Sequence, residues 1–189
     1  RLYPALCLAA CQAMGGAIED ALPSATALEL VDSFFKVHAD VQDGNQERYG
    51  KPTVWWVWGP GQAINVGDAL HALARRSLME VKERRLPSVS ILQAIQAMDM
   101  ASLRICEGLH LDLVYQERID ISVDAYMTMA REKAGALVGC AFELGSLAAS
   151  TSPKAAPRET STSSSADPAS PRTSSKRPSP TPLKSWFRW

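Results

Sequence analysis

Residues 29–72 read ELVDSFFKVHADVQDGNQERYGKPTVWWVWGPGQAINVGDALHA, two apolar-periodic segments on either side of a polar break. With Ala27 just ahead of it, the first segment sets Leu30, Val31, Phe34, Phe35 and Val37 three and four residues apart, the repeat of one helix face. Pro23 suits the opening of this helix, which the pattern carries to about Val41. The break runs from Gly44 to Pro52; Gly44, Gly50 and Pro52 punctuate it, nothing in it repeats at a helical period, and a loop is expected. Val54 to Trp58 is apolar at every position. It is the nearest thing to a strand in a chain with no convincing alternation, but its length favours a buried turn leading into a third helix, from about Gln62 to Leu86.

Outward from this stretch the pattern stays helical. Pro4 opens a helix to about Met14 that stops at Gly15-Gly16. Pro87-Ser88 starts a fourth, with Leu92, Ile95, Met98, Leu103, Cys106 and Leu113 as its stripe as far as the Gly108 region. Asp124 is expected to cap a fifth, which carries Tyr126, Met129, Leu137, Phe142 and Leu144. Successive apolar helices make an all-α bundle over residues 1–149. From Ser150 to Trp189, 23 of 40 residues are Ser, Thr or Pro. Such a segment cannot bury enough apolar surface to offset its ordering entropy, so a disordered tail is expected.

The 189 residues are 46% apolar, enough for one domain with a sizeable core. Lys plus Arg and Asp plus Glu are 20 each, which argues against a nucleic-acid binder. The balance is uneven: the tail holds seven basic and two acidic residues, leaving 13 basic and 18 acidic in the first 149. Four scattered cysteines with no CxxC suggest reduced thiols and a cytoplasmic setting. No apolar run reaches the roughly 18 to 20 residues a membrane span needs. Leu183 to Trp189 mixes aromatic and basic residues as interface anchors do, but seven residues after such a linker read better as an inert end, and negligible vesicle binding is expected. The chain begins at Arg1 without a Met, so residues are expected upstream.

The sharpest chemical signal is His38-Ala39-Asp40-Val41-Gln42-Asp43-Gly44, with Arg48 five residues after Asp43. Carboxylates at i and i+3 share a helix face. Two of them suit Mg²⁺, which completes its shell with water and substrate phosphates. Arg48 and Lys51 could then hold the far side of a diphosphate. A solvated helix end is the plain alternative.

The stretch quoted above resembles the first aspartate-rich region of polyprenyl diphosphate synthases, with their HDDxxD, RRGxPT, WG and AxxxGDAL signatures. RLYPALCLAAC at residues 1–11 is similar to their GKRxRPxLxLLAC, CEGLHLDL from Cys106 to their CxGQxxDL, and YMTMAREKAGALVGCAFELGSL from Tyr126 to their YxxxxxxKTGALxxxxxxLGAL. The resemblance implies a partial isoprenoid synthase bundle. It also implies Mg²⁺-dependent condensation of an allylic prenyl diphosphate with isopentenyl diphosphate, in which metal and guanidinium charge stabilise the departing diphosphate and apolar helix faces shield the allylic cation. By the same resemblance Asp40 and Asp43 are metal ligands, Arg48 and Lys133 hold the allylic diphosphate, and Phe34 and Phe35 floor a chain-length pocket suited to a farnesyl-length product. Two core phenylalanines on an amphipathic helix are the alternative.

Several family positions differ: Ala39 replaces the first Asp, Tyr49 the second Arg, Tyr3 and Asp32 an Arg and a His of the isopentenyl site, Leu109 a Gln and Ala134 a Thr. The second aspartate-rich motif is missing. Each lost charged group costs on the order of 10² to 10³ in rate, so impaired or absent activity is expected. Three explanations stand side by side: a truncated or frameshifted synthase gene; a non-catalytic subunit pairing with a full-length synthase, for which Cys7 and Cys11 offer a CxxxC spacing; and a class I terpene synthase-like protein that binds prenyl diphosphate without condensing it. Apolar faces left uncovered would favour a homodimer or heterodimer.

Overall fold

The computed structural model describes residues 1–80 and 88–150, and these are helical apart from one small hairpin. The expectations for residues 81–87 and 151–189, including the end of the third helix and the whole of the tail beyond Ser150, lie outside the described residues. Helix α1 (Leu2–Ala13) ends at Gly15, whose φ of 81° lets the chain reverse. Helix α2 (Ile18–Gln42) begins five residues before Pro23, not at it. Glu19 and Asp20 sit in its first turn, where their charge complements the helix dipole and supports an earlier start.

The expected loop holds a two-stranded hairpin, β1 (Glu47–Arg48) and β2 (Lys51–Pro52), with Arg48 opposite Lys51. Two central residues with positive φ, Tyr49 at 53° and Gly50 at 74°, close it, the twist that tight antiparallel pairs favour. Helix α3 (Val54–Trp58) is helical as expected but not buried: Trp56, Val57 and Trp58 are 53%, 54% and 66% exposed. Only Trp55 is tied inward, its indole donating to the Asn45 carbonyl at 2.6 Å.

Helix α4 (Pro60–Met79) packs chiefly on α2. Gly67 makes that approach possible, because a Cβ there would meet the His38 ring at 2.2 Å. Helix α5 (Ser88–Gln116) runs eight residues past Gly108. Its buried face is Ile91, Ala94, Met98, Ala101 and Ile105, a three-four repeat that alternates bulky residues with alanine. The expected bulky stripe is therefore only partly core: Leu92 is 66%, Leu103 41% and Leu113 43% exposed. Helix α6 (Val123–Ala130) is capped by Ser122, whose hydroxyl accepts from the Ala125 amide at 3.2 Å; Asp124 lies inside the first turn instead. A π-helical turn (Arg131–Gly135) links α6 to α7 (Ala136–Ser150).

Around the bundle the helices neighbour one another in the order α1, α2, α4, α5, α7 and back to α1, with α2 and α7 also in contact. The α1–α7 seam is nearly backbone to backbone, since a Cβ on Gly145 would stand 2.3 Å from the Cys7 carbonyl oxygen. Cys7, Cys11 and Cys140 are buried there, and burial first of all pushes the Cys7 and Cys140 thiols up to about 12. They are protonated packing groups rather than nucleophiles. No described helix is long and apolar enough to cross a membrane.

Candidate functional site

Helix α2 presents its last turns to α5 and to the hairpin. Successive helical residues turn by about 100°, which sets Asp43 about 40° from Ala39 and about 60° from Asp40 around the axis. Ala39 and Asp43 line a cavity of about 300 Å³. Asp40 is only 5% exposed, and its carboxylate accepts from Arg48 Nε at 2.9 and 3.1 Å and from Arg48 Nη2 at 2.6 Å. That hydrogen bond is the main reason the Arg48 guanidinium is held above its ordinary pKa. Thr53 and Trp55 both donate to the Asn45 carbonyl, at 2.7 and 2.6 Å, which fixes the loop that carries Arg48. The Asn45 amide lies between the carboxylates, 3.4 Å from Asp40 Oδ1 and 3.5 Å from Asp43 Oδ2.

The cavity is closed by Asp32, Phe35 and Lys36 of α2, by Ile105, Leu109, Asp112 and Leu113 of α5, and by Arg48 and Lys133 from the hairpin and the π-helical turn. Lys36 donates to Asp32 at 2.5 Å and Lys133 to Asp112 at 2.7 Å. Burial works against the Lys36 ammonium, but its hydrogen bond to Asp32 and the charges around it hold its pKa raised. Every cation lining the cavity thus has a carboxylate partner, and Asp43 is the lining carboxylate with no ion pair among the described residues. Tyr3 reaches the same corner: burial first, then the Asp32 charge, raises its phenol pKa.

Of the residues singled out in the sequence, Asp43, Arg48, Lys133 and Phe35 converge on this one cavity. Asp40 adjoins it through Arg48 and is taken up in that ion pair, while Asp43 lines the cavity with no ion pair among the described residues; the Asn45 amide spans the two carboxylates. Phe34 lies outside the lining. One residue from Phe35, it points elsewhere and packs on the rings of His38 and His71, at centroid distances of 4.6 and 5.1 Å. Lys51, exposed on β2, is not in the lining either. Asp112, Lys36 and Ile105 carried no assignment from the sequence. The CEGLHLDL segment, which holds Gly108 and Asp112, was the available signal; in the structure Arg104, Gly108 and Asp112 all meet the π-helical turn.

The donor set tests a cation site directly. Among the described residues no three His, Cys, Asp or Glu side chains converge as a metal cage. One unpaired carboxylate, Asp43, fits Mg²⁺ only as a shared ligand, with the remaining positions filled by ligand oxygens and water.

Similarity to known proteins agrees with the geometry. The chain is 43% identical over 145 residues to a geranylgeranyl diphosphate synthase of Mycobacterium tuberculosis, covering 77% of this chain and 40% of that protein. Its fold superposes on a polyprenyl synthetase from Streptomyces coelicolor with a TM-score of 0.71 and 37% identity, over 78% of this chain and 42% of the other. A polyprenyl synthase from Caulobacter crescentus, solved with calcium and isoprenyl diphosphate, matches with a TM-score of 0.69 and 28% identity, over 79% and 44%. The chain spans less than half the length of these proteins. Residues 1–163 match the sequence profile of the polyprenyl synthetases, and the chain belongs to that family.

Proposed function

We propose that this chain binds an allylic prenyl diphosphate together with Mg²⁺ in the cavity between α2 and α5, and that it is impaired in condensing that ligand with isopentenyl diphosphate. The observation that carries the reading is the divided lining. Asp43, Arg48 and Lys133 offer charge, while Phe35, Ile105, Leu109 and Leu113 offer apolar wall, the two chemistries a prenyl diphosphate needs. The names of the relatives support it, as does the bound isoprenyl diphosphate of the Caulobacter protein.

The charges explain why a cation must accompany the ligand. Lys36, Arg48 and Lys133 are each neutralised by a carboxylate, so a diphosphate alone meets no uncompensated positive charge in the lining. Asp43 holds the cation, and Arg48 and Lys133 share their donors with the phosphate oxygens. Bound Mg²⁺ would supply charge that stabilises a departing diphosphate. Asp40 contributes by fixing Arg48; acting as a second metal ligand would require loosening this part-buried pair. Ala39 brings no ligand to the position that shares Asp43's face, and Asp32 with Lys36 forms an internal pair beside Tyr3 where the second substrate's anion would need donors. Both features favour impairment. The four free cysteines favour a reducing, cytoplasmic setting. The exposed Leu92, Met100 and Leu103 of α5 favour pairing with a second copy or a full-length synthase, which would make the chain a non-catalytic subunit.

Calorimetric titration with geranyl diphosphate tests the reading. Mg²⁺ alone should give no binding heat, Mg²⁺ with geranyl diphosphate should saturate one site, and Asp43→Ala should remove the Mg²⁺ dependence. Equal affinity with and without Mg²⁺, or an unchanged Asp43→Ala variant, would sink it.

A further inference from the structure

The π-helical turn that carries Lys133 does not merely rest on α5; it is gripped by three positions one helical turn apart. Arg104 donates to Glu132, from Nε to Oε2 at 2.5 Å and from Nη2 to Oε1 at 3.1 Å. Asp112 accepts from Lys133 at 2.7 Å. Between them lies Gly108, and there the backbones touch. A Cβ built on Gly108 would stand 2.3 Å from the Lys133 amide nitrogen, 2.7 Å from its Cα and 2.8 Å from the Glu132 carbonyl carbon. Positions four apart form a ridge along a helix, and this ridge is charged at both ends and empty in the middle.

The empty middle has a consequence for the site. All three atoms that a Cβ would strike belong to backbone, so no side chain can swing aside to make room. Restoring ordinary contact would move the turn outward by about 1 Å at the residue whose ammonium enters the cavity. A π-helical turn also inserts one residue relative to an α-helix, which rotates the downstream residues by about 100°. Lys133 stands in the middle of this turn, and it reaches Asp112 and the cavity while the turn lies flush on α5.

We propose that Gly108 is a positioning residue for ligand binding: by admitting the backbone of Glu132 and Lys133 against α5, it sets the depth at which the Lys133 ammonium enters the cavity. The inference rests on the reading of Lys133 as a diphosphate-binding group. It predicts that Gly108 and Lys133 act as one unit, so that losing either removes the same contribution.

Calorimetric titration of the full chain with geranyl diphosphate at saturating Mg²⁺ decides it, using Gly108→Ala, Lys133→Ala, the double variant and Gly145→Ala. Lys133→Ala and Gly108→Ala should each weaken affinity about tenfold, and the double variant should bind no more weakly than either. Gly145→Ala, which disturbs the remote α1–α7 seam, should lower the melting temperature and leave the affinity of the folded protein unchanged. Additive losses in the double variant, or wild-type affinity in Gly108→Ala beside a weakened Lys133→Ala, overturn the inference and leave the proposed function standing. Wild-type affinity in Lys133→Ala instead removes the diphosphate role of Lys133 itself. Should Gly108→Ala not fold, Glu132→Gln takes its place: it loosens the same grip at the Arg104 end and must likewise weaken binding without adding to Lys133→Ala.

Discussion

Tyr49 holds a φ of 53° in the hairpin turn with 85% of its surface exposed, so a β-carbon strain is carried there without compensating burial. The left-handed region costs an ordinary residue about 1 to 2 kcal/mol, and Asn tolerates it far better. Tyr49→Asn should therefore raise stability by about 1 kcal/mol, visible as a higher urea midpoint with an unchanged slope. A lower midpoint would mean that the phenol, which stands near Arg48 and Lys36, contributes more than the turn strain costs. Residue identity in the sequence could name Asp40 and Asp43 as a pair but not assign them different tasks. The division comes from which neighbour each side chain meets, since the two positions lie only about 60° apart around the helix. Asp40 meets Arg48 in a buried pocket and Asp43 meets the cavity.

Among the elements, the α1–α7 seam shows how small residues decide what can pack. Gly139 and Gly145 lie on the same helix, yet a Cβ at Gly139 meets nothing within 4 Å whereas one at Gly145 would collide with the Cys7 carbonyl and with Ala10. Opposite outcomes are expected. Gly145→Ala should destabilise by about 2 kcal/mol through overpacking, and Gly139→Ala should stabilise by up to about 1 kcal/mol through helix propensity. Thermal melts of the two variants beside wild type check this, and shifts of the same sign would show that the seam is looser than its geometry. Helix existence was legible in the sequence because the apolar repeat is a property of each segment alone. Which face of α5 would be core was not: the bulky stripe through Leu92, Leu103 and Leu113 looks stronger, but packing against α7 buries the face of Ile91, Ala94, Met98, Ala101 and Ile105 instead.

For the molecule as a whole, the contact of α2 with α4 gives stability a dependence on pH. His71, whose ring lies tilted against Phe34, has its pKa lowered from 6.5, first by burial and then by the Arg75 charge, with Asp99 and Asp68 acting in the opposite direction. A histidine that binds its proton less readily when folded leaves the unfolded chain with more protons below the ordinary value. Its contribution is thus fully present above pH 6.5 and is lost as pH falls from there toward the folded value. The unfolding free energy should decline over that window, and His71→Gln should flatten the decline; an identical slope in the variant would show that His71 is not the group responsible. By itself the sequence determined the all-helical class, the family and several residues that line the cavity, because periodicity and motif spacing act over a few turns of one chain segment. The tertiary structure alone decided that Asp40 is committed to Arg48, that Asp112 holds Lys133, and that Gly108 lets the turn bearing Lys133 lie flush. Motifs mark Gly108, Asp112 and Lys133 as residues, but what each touches depends on contacts between segments more than 20 residues apart, and for Asp40 on which neighbour its side chain meets.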